Sequence, residues 1–174
     1  MISMTGTPGT GKTAIANYLR EAGENVIDIH RYIDEKGIKG RFDKKRDTYS
    51  VDTDELNRSV KENIRNGRVF AEGHLSHFLD CDTIIVIRCN PSVLYGRLKE
   101  RGYSEEKITE NVQAEALDVI LCESLERNAH VFEIDNTSCT AEQAALTVIE
   151  IVNGNTHGHG PGSVDWSAEM EKWC

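Results

Sequence analysis

Residues 5 to 14 read TGTPGTGKTA, and the eight from Gly6 to Thr13 match the pattern GxxxxGK[ST]. The apolar run 2–5 (ISMT) precedes them and the amphipathic run 12–23 (KTAIANYLREAG) follows, so the loop lies between a predicted strand and a predicted helix. Glycines in such a loop let successive backbone N–H groups turn inward toward phosphate oxygens, and the helix amino terminus adds its dipole. Gly6, Pro8, Gly9, Thr10, Gly11, Lys12 and Thr13 are therefore the candidate nucleotide-binding residues. Lys12 is expected to bridge the β- and γ-phosphates, and Thr13 to offer its hydroxyl to Mg²⁺.

Outward from the loop, short apolar runs alternate with longer amphipathic ones, the mark of a βαβ fold with a mainly parallel sheet. Five strands are predicted, at 2–5, 25–29, 68–72, 82–89 and 130–135. The helical stretches between them are 12–23, 53–67, 91–102, 104–128 and 140–154, with Thr53, Ser104 and Pro91 as start signals and Gly23, Gly67, Gly102 and Gly154 as stops. Residues 30–52 fit neither period and read as a partly helical flap. After residue 154 a Gly/His/Pro linker leads to Trp166, Met170 and Trp173, which share one helical face and can dock on the body or on a partner. The pair His157 and His159 reads as part of a flexible linker, because no third metal ligand stands at a useful spacing.

With 174 residues, one well-buried domain is expected. No apolar run approaches the roughly 20 residues of a membrane span, and no signal peptide precedes the loop, so a soluble, cytoplasmic protein is expected. The odd, scattered set of five cysteines fits reduced thiols. The formal charge is −9, yet residues 36–46 (KGIKGRFDKKR) hold six basic residues against one acidic, a local +5 that leaves −14 for the rest. That segment suits an anion, or is a solvated loop balancing nearby acid. Lys44, Lys45 and Arg46 within it are candidates for holding a monophosphate or meeting RNA.

A phosphate loop of this type needs a second Mg²⁺ anchor at the carboxyl end of a neighbouring strand. Glu72 and Asp28 both qualify, and Glu72, which ends a clean strand and precedes Gly73, is preferred, acting through water. His74, two residues on, is placed to orient or deprotonate an attacking group. No Asn-Lys-x-Asp motif is present, which argues against a GTPase, and motor or helicase ATPases need more chain. A small kinase that moves a phosphoryl group from ATP to a second small substrate remains. Arg97 and Arg101, four apart on one helix face, can fold over a transferring phosphate, or simply be a solvated face beside Glu100. Arg88 is a weaker candidate for the same region.

With the segments GTPGTGKT, AEGH and LYGRLKERGYSEEKITENVQAE in view, the sequence resembles the adenylate kinase isoenzyme 6 family over residues 1 to about 150. The resemblance implies a three-layer α/β P-loop fold over 1–153, a five-stranded sheet, a monophosphate flap at about 30–60, a short lid near 97–107, and a separate tail over 154–174. It implies reversible phosphoryl transfer from Mg-ATP to AMP giving two ADP, together with ATPase activity. A role in small ribosomal subunit assembly, with a platform ribosomal protein and pre-ribosomal rRNA as partners, is also implied. The family's Asp-x-His motif is replaced here by Glu72-Gly73-His74, one methylene longer. Asn136, in the turn after the last strand, falls where related kinases hold the adenine ring, and equally fits a capping turn. Two other readings stay open: an ATP-dependent assembly chaperone with incidental kinase turnover, and a kinase for a metabolite such as shikimate or gluconate.

Overall fold

The structure is a computed structural model that describes the chain except residues 39, 41, 44–47 and 64–66; at 42–43 and 48–49 only the backbone is described. Five strands form one parallel sheet: β1 (Ile2–Thr5), β2 (Asn25–Asp28), β5 (Val69–Glu72), β6 (Thr83–Arg88) and β7 (His130–Asp135), in the order β2-β5-β1-β6-β7. Every residue of β1 is buried, as expected of a central strand covered on both faces. Register pairs Ser3 with Ala71 on one side and with Ile84 on the other. The phosphate loop therefore leaves from the centre of the sheet, at the carboxyl ends where ligands bind in such folds.

One face of the sheet is covered by α1 (Lys12–Glu21) and α7 (Ala141–Val152), which bury Ile15, Leu19 and Val148 against Met4, Phe70 and Ile85. The other carries α6 (Val119–Leu125), whose Leu121 packs on Ile84, Val86 and Val131. A third cluster, Leu94, Leu98, Ile108 and Val112, joins α4 (Pro91–Glu100) to α5 (Glu105–Ala116). These helices begin as their sequences direct. Asn90 caps α4 ahead of Pro91, Ser104 caps α5, and Thr140 forms a capping box with Gln143 on α7.

The single helix expected over 104–128 is two. Asp118 takes a left-handed conformation (φ 55°) and its carboxylate is bound by the Arg88 guanidinium, so a tertiary ion pair breaks a run that local propensity would continue. Helix α3 (Thr53–Asn63) is capped by Asp52, whose Oδ1 accepts from the Asp54 and Glu55 amides at 3.1 and 2.9 Å, and not by Thr53. The flap holds helix α2 (Ile29–Lys36) and, beyond the helical content expected, a two-residue antiparallel hairpin of β3 (Phe42–Asp43) and β4 (Thr48–Tyr49). Lys44, Lys45 and Arg46 lie outside the described residues.

The tail docks on the body. Helix α8 (Ser167–Trp173) places Trp173 against the α4/α5 cluster, its ring centroid 5.3 Å from that of Tyr95. The linker is also held. The Glu133 amide donates to the His159 carbonyl at 2.8 Å, and His159 Nδ1 donates to the Glu133 carbonyl at 3.1 Å, so His159 lies along the outer edge of β7 and not in a loose linker. Among the described residues no helix is long and apolar enough to cross a membrane.

Candidate functional site

Between β1 and α1 the chain from Gly6 to Gly11 wraps a cradle that only glycine permits at two points. A Cβ on Gly6 (φ 138°) would sit 2.3 Å from the Ile87 carbonyl oxygen, and one on Gly11 (φ 103°) 2.3 Å from Asn136 Nδ2. Gly11 is also the N-cap of α1 and supplies no side-chain cap, leaving the first amides of that helix for an anion. Lys12, 7% exposed, turns its ammonium back on the loop and donates to the carbonyls of Gly6 at 2.6 Å and Thr7 at 2.9 Å. Burial lowers its pKa to about 8, against the opposing pull of Glu72 and Glu115.

Glu72 ends β5 beside the loop, in register with Met4 of β1 and Asp28 of β2, and is buried. Its Oε1 accepts from the Thr13 hydroxyl at 3.1 Å. Burial raises its pKa, Lys12 opposes that rise, and Asp28 adds to it. These groups border a cleft of about 310 Å³ that is also lined by Pro8, Gly9, Asp28, His74 and Arg101. The oxygen donors of Thr13, Glu72 and Asp28 suit a hard divalent ion such as Mg²⁺. Among the described residues no three His, Cys, Asp or Glu side chains converge to hold an ion alone, so a metal here would be held together with phosphate, the usual arrangement for Mg²⁺. His74 lies in the same cleft, and burial first, then the Lys12 charge, pushes its pKa down, so the imidazole is neutral near pH 7.

Of the two lid arginines, Arg101 lines the cleft and Arg97 does not. The Arg97 guanidinium donates to the carbonyls of Asn136 at 3.0 Å and Thr137 at 2.8 Å, bracing the turn after β7. Asn136 is 5% exposed and lies beneath the phosphate loop, where its Nδ2 donates to the Thr10 carbonyl at 2.7 Å. Its Oδ1 is the one buried side-chain polar atom among the described residues without a hydrogen-bond partner. Arg88 is not a lid residue. It is fully buried and ion-paired with Glu115 at 2.8 Å, Glu133 at 2.6 Å and Asp118.

Two features escaped the sequence. His30 lines the cleft beside Asp28. The buried His77 contacts Thr5 Oγ1 at 2.9 Å through Nδ1 and Glu123 at 3.1 Å through Nε2. That second distance would suit an imidazolium, yet burial, with Arg127 nearby, lowers the His77 pKa to about 4. The ring is therefore neutral, taking the Thr5 proton at Nδ1 and giving its own to Glu123. A third, Glu115, has a readable signal: it follows Ile108 and Val112 on the apolar stripe of α5, where an acid has no business without a partner.

Residues 2–118 match the family model described as "AAA domain". The chain is 42% identical over 168 residues to a Thermococcus kodakarensis protein named "Putative adenylate kinase", covering 96% of this chain and 93% of the relative. An Archaeoglobus fulgidus protein of the same name is 41% identical over 175 residues, with 98% and 94% covered. Among solved structures, a shikimate kinase from Acinetobacter baumannii superposes with a TM-score of 0.61 at 16% identity over 90% of this chain and 94% of that one. One from Bacteroides thetaiotaomicron gives 0.55 at 18% identity over 87% and 97%. At these identities the two structures share the fold.

Proposed function

The chain belongs to the AAA domain family, and from that premise and its 41–42% identity to the two archaeal relatives we propose that it is an adenylate kinase, moving a phosphoryl group from Mg-ATP to AMP to give two ADP. The observation that carries the reading is the cleft itself, where Lys12, Thr13, Glu72 and Arg101 converge at the end of the central strand. Phosphoryl transfer asks little of a protein beyond position and charge. The loop amides and Lys12 would hold the ATP phosphates, with the ammonium leaving the Gly6 and Thr7 carbonyls to do so. Thr13 and Glu72 would hold Mg²⁺, which spreads the charge of the transferring group. Arg101, at the C-cap of α4, would bring its guanidinium from the lid turn to the transferring phosphate. Arg97 and Asn136 would shape the turn beside the adenine, Arg97 through the backbone and Asn136 from beneath the loop. The flap over 30–60 would seat the monophosphate.

A second reading gives the same site a different output: ATP hydrolysis, oriented by the neutral His74, timing the engagement of a small-subunit ribosomal protein or pre-ribosomal rRNA. The observation in its favour is charge, since a body of −9 attracts basic proteins. ADP formation from Mg-ATP alone and with AMP, CMP, UMP, GMP or shikimate added singly, with Lys12→Ala as the blank, decides among these. Strong stimulation by AMP supports the kinase. Hydrolysis indifferent to every acceptor but accelerated by a basic protein supports the second reading, and stimulation by shikimate alone would overturn both.

A further inference from the structure

The strongest unexplained group in the molecule is the Glu115 carboxylate, 3% exposed on α5. Its Oε1 accepts from Arg88 Nε at 2.8 Å, from the Cys89 amide at 3.1 Å and from the Trp166 indole N–H at 3.2 Å. Its Oε2 accepts from the Thr7 hydroxyl at 2.5 Å. Thr7 is a member of the phosphate loop and is itself 2% exposed. Its carbonyl accepts from Lys12 Nζ at 2.9 Å, Thr10 Oγ1 at 3.0 Å and the Thr10 amide at 3.3 Å.

We propose that Glu115 is a positioning residue of the phosphate loop, holding Thr7 from beneath, and that the C-terminal tail completes it through Trp166. Neutralising a buried carboxylate takes donors on both oxygens, and here they come from three distant parts of the chain. Arg88 balances the charge. Thr7 receives the orientation: with its side chain pinned, the loop keeps its curve when Lys12 exchanges the Gly6 and Thr7 carbonyls for phosphate. Trp166 stays aimed without help from Glu115. The Gly162 amide donates to Glu133 Oε2 at 2.6 Å, Ser92 Oγ donates to Glu169 Oε2 at 2.6 Å, and Trp173 is packed on Tyr95. Losing the indole N–H alone therefore leaves the tail in place.

The proposal rests on the reading of the loop as the Mg-ATP site. It is tested in the full chain with Thr7→Val, Thr7→Ser and Trp166→Phe, none of which removes the buried Arg88–Glu115 pair. The dissociation constant for a non-hydrolysable ATP analogue with Mg²⁺ is measured by calorimetry, beside KM and kcat for ADP formation and the melting temperature. A hydrogen bond to a charged group is worth enough that Thr7→Val should weaken binding by about tenfold to a hundredfold, with Trp166→Phe lower by about threefold to tenfold. The loss should appear in KM more than in kcat. Thr7→Ser should restore both binding and melting temperature, Trp166→Phe should melt near the wild type, and Thr7→Val, which leaves Glu115 Oε2 without its donor, should melt lower, so its binding is measured well below its own melting temperature. Wild-type binding by Thr7→Val, or no rescue by Thr7→Ser, overturns the role of Glu115; wild-type binding by Trp166→Phe overturns that of the tail. No binding by the wild type itself would remove the reading of the loop, and this proposal with it.

Discussion

The Thr13 hydroxyl donates to the Glu72 carboxylate at 3.1 Å, tying the first turn of α1 to the end of β5 across the mouth of the cleft. Both groups line the cleft where a metal and phosphate would sit.

Glu72→Gln should keep the fold and lose the metal. Outer-sphere carboxylates typically contribute about 10–100-fold to metal affinity, and the Mg²⁺ concentration for half-maximal activity should rise by that order. Because burial raises the Glu72 pKa, the folded state carries an unfavourable charge at neutral pH that the amide removes, so the melting temperature at pH 7 should hold or rise. A Mg²⁺ titration that superposes on the wild type would sink the assignment.

Lys12 gives the reaction an alkaline limit. With its pKa lowered to about 8, the ammonium is present below that pH and is lost as pH rises through it. The kcat/KM for Mg-ATP, which reports the free enzyme, should fall above about pH 8. Lys12→Arg should flatten that limb at reduced activity, and Lys12→Ala should cost roughly 10³-fold or more. A profile level to pH 10 would mean that the Lys12 ammonium does not titrate near pH 8 in the free enzyme.

The two arginines of α4 should behave differently. Arg101 faces the cleft, and Arg101→Ala should lower kcat by about 10³-fold, the scale of losing a cationic clamp. Arg97 holds two backbone carbonyls, and Arg97→Ala should mainly raise KM for ATP, by about tenfold for the lost charged hydrogen bonds. Equal losses of kcat would mean that Arg97 also reaches the phosphate during turnover.

His77 makes stability depend on pH. Its folded-state pKa of about 4 lies below the ordinary 6.5, so the unfolded chain binds the proton first. The contribution is whole above about pH 6.5 and is lost as pH falls toward 4, by about 3 kcal/mol for a shift of this size. Urea unfolding at pH 7, 5.5 and 4.5 should show the fall, and His77→Asn should flatten it. An identical slope in that variant would assign the loss to other groups.

Much of this was legible because it rests on local rules. The glycine spacing, the strand before it and the helix after it fix the phosphate loop, and alternating apolar runs mark the five strands to within a residue or two. What could not be read are the places where distant residues overrule local preference. The break at Asp118 depends on Arg88, thirty residues earlier. Arg97 and Arg101 look equivalent at a spacing of four, yet one finds carbonyls from the turn after β7 and the other faces the cleft. Asn136 offered a donor and an acceptor to a base, and nothing in its turn announced that its Nδ2 would also donate to the Thr10 carbonyl from beneath the loop. Glu115 showed only as an acid on an apolar stripe, with nothing to name Thr7 or Trp166 as its partners.

The two bonds between His159 and Glu133 also bear on solubility. Strand β7 is one of the two edge strands of the sheet, and its free backbone edge would otherwise be a template for a strand from another molecule. His159 of the tail takes up the amide and carbonyl of Glu133 in the middle of that edge instead. A chain shortened ahead of residue 156 would uncover it and should self-associate edge to edge.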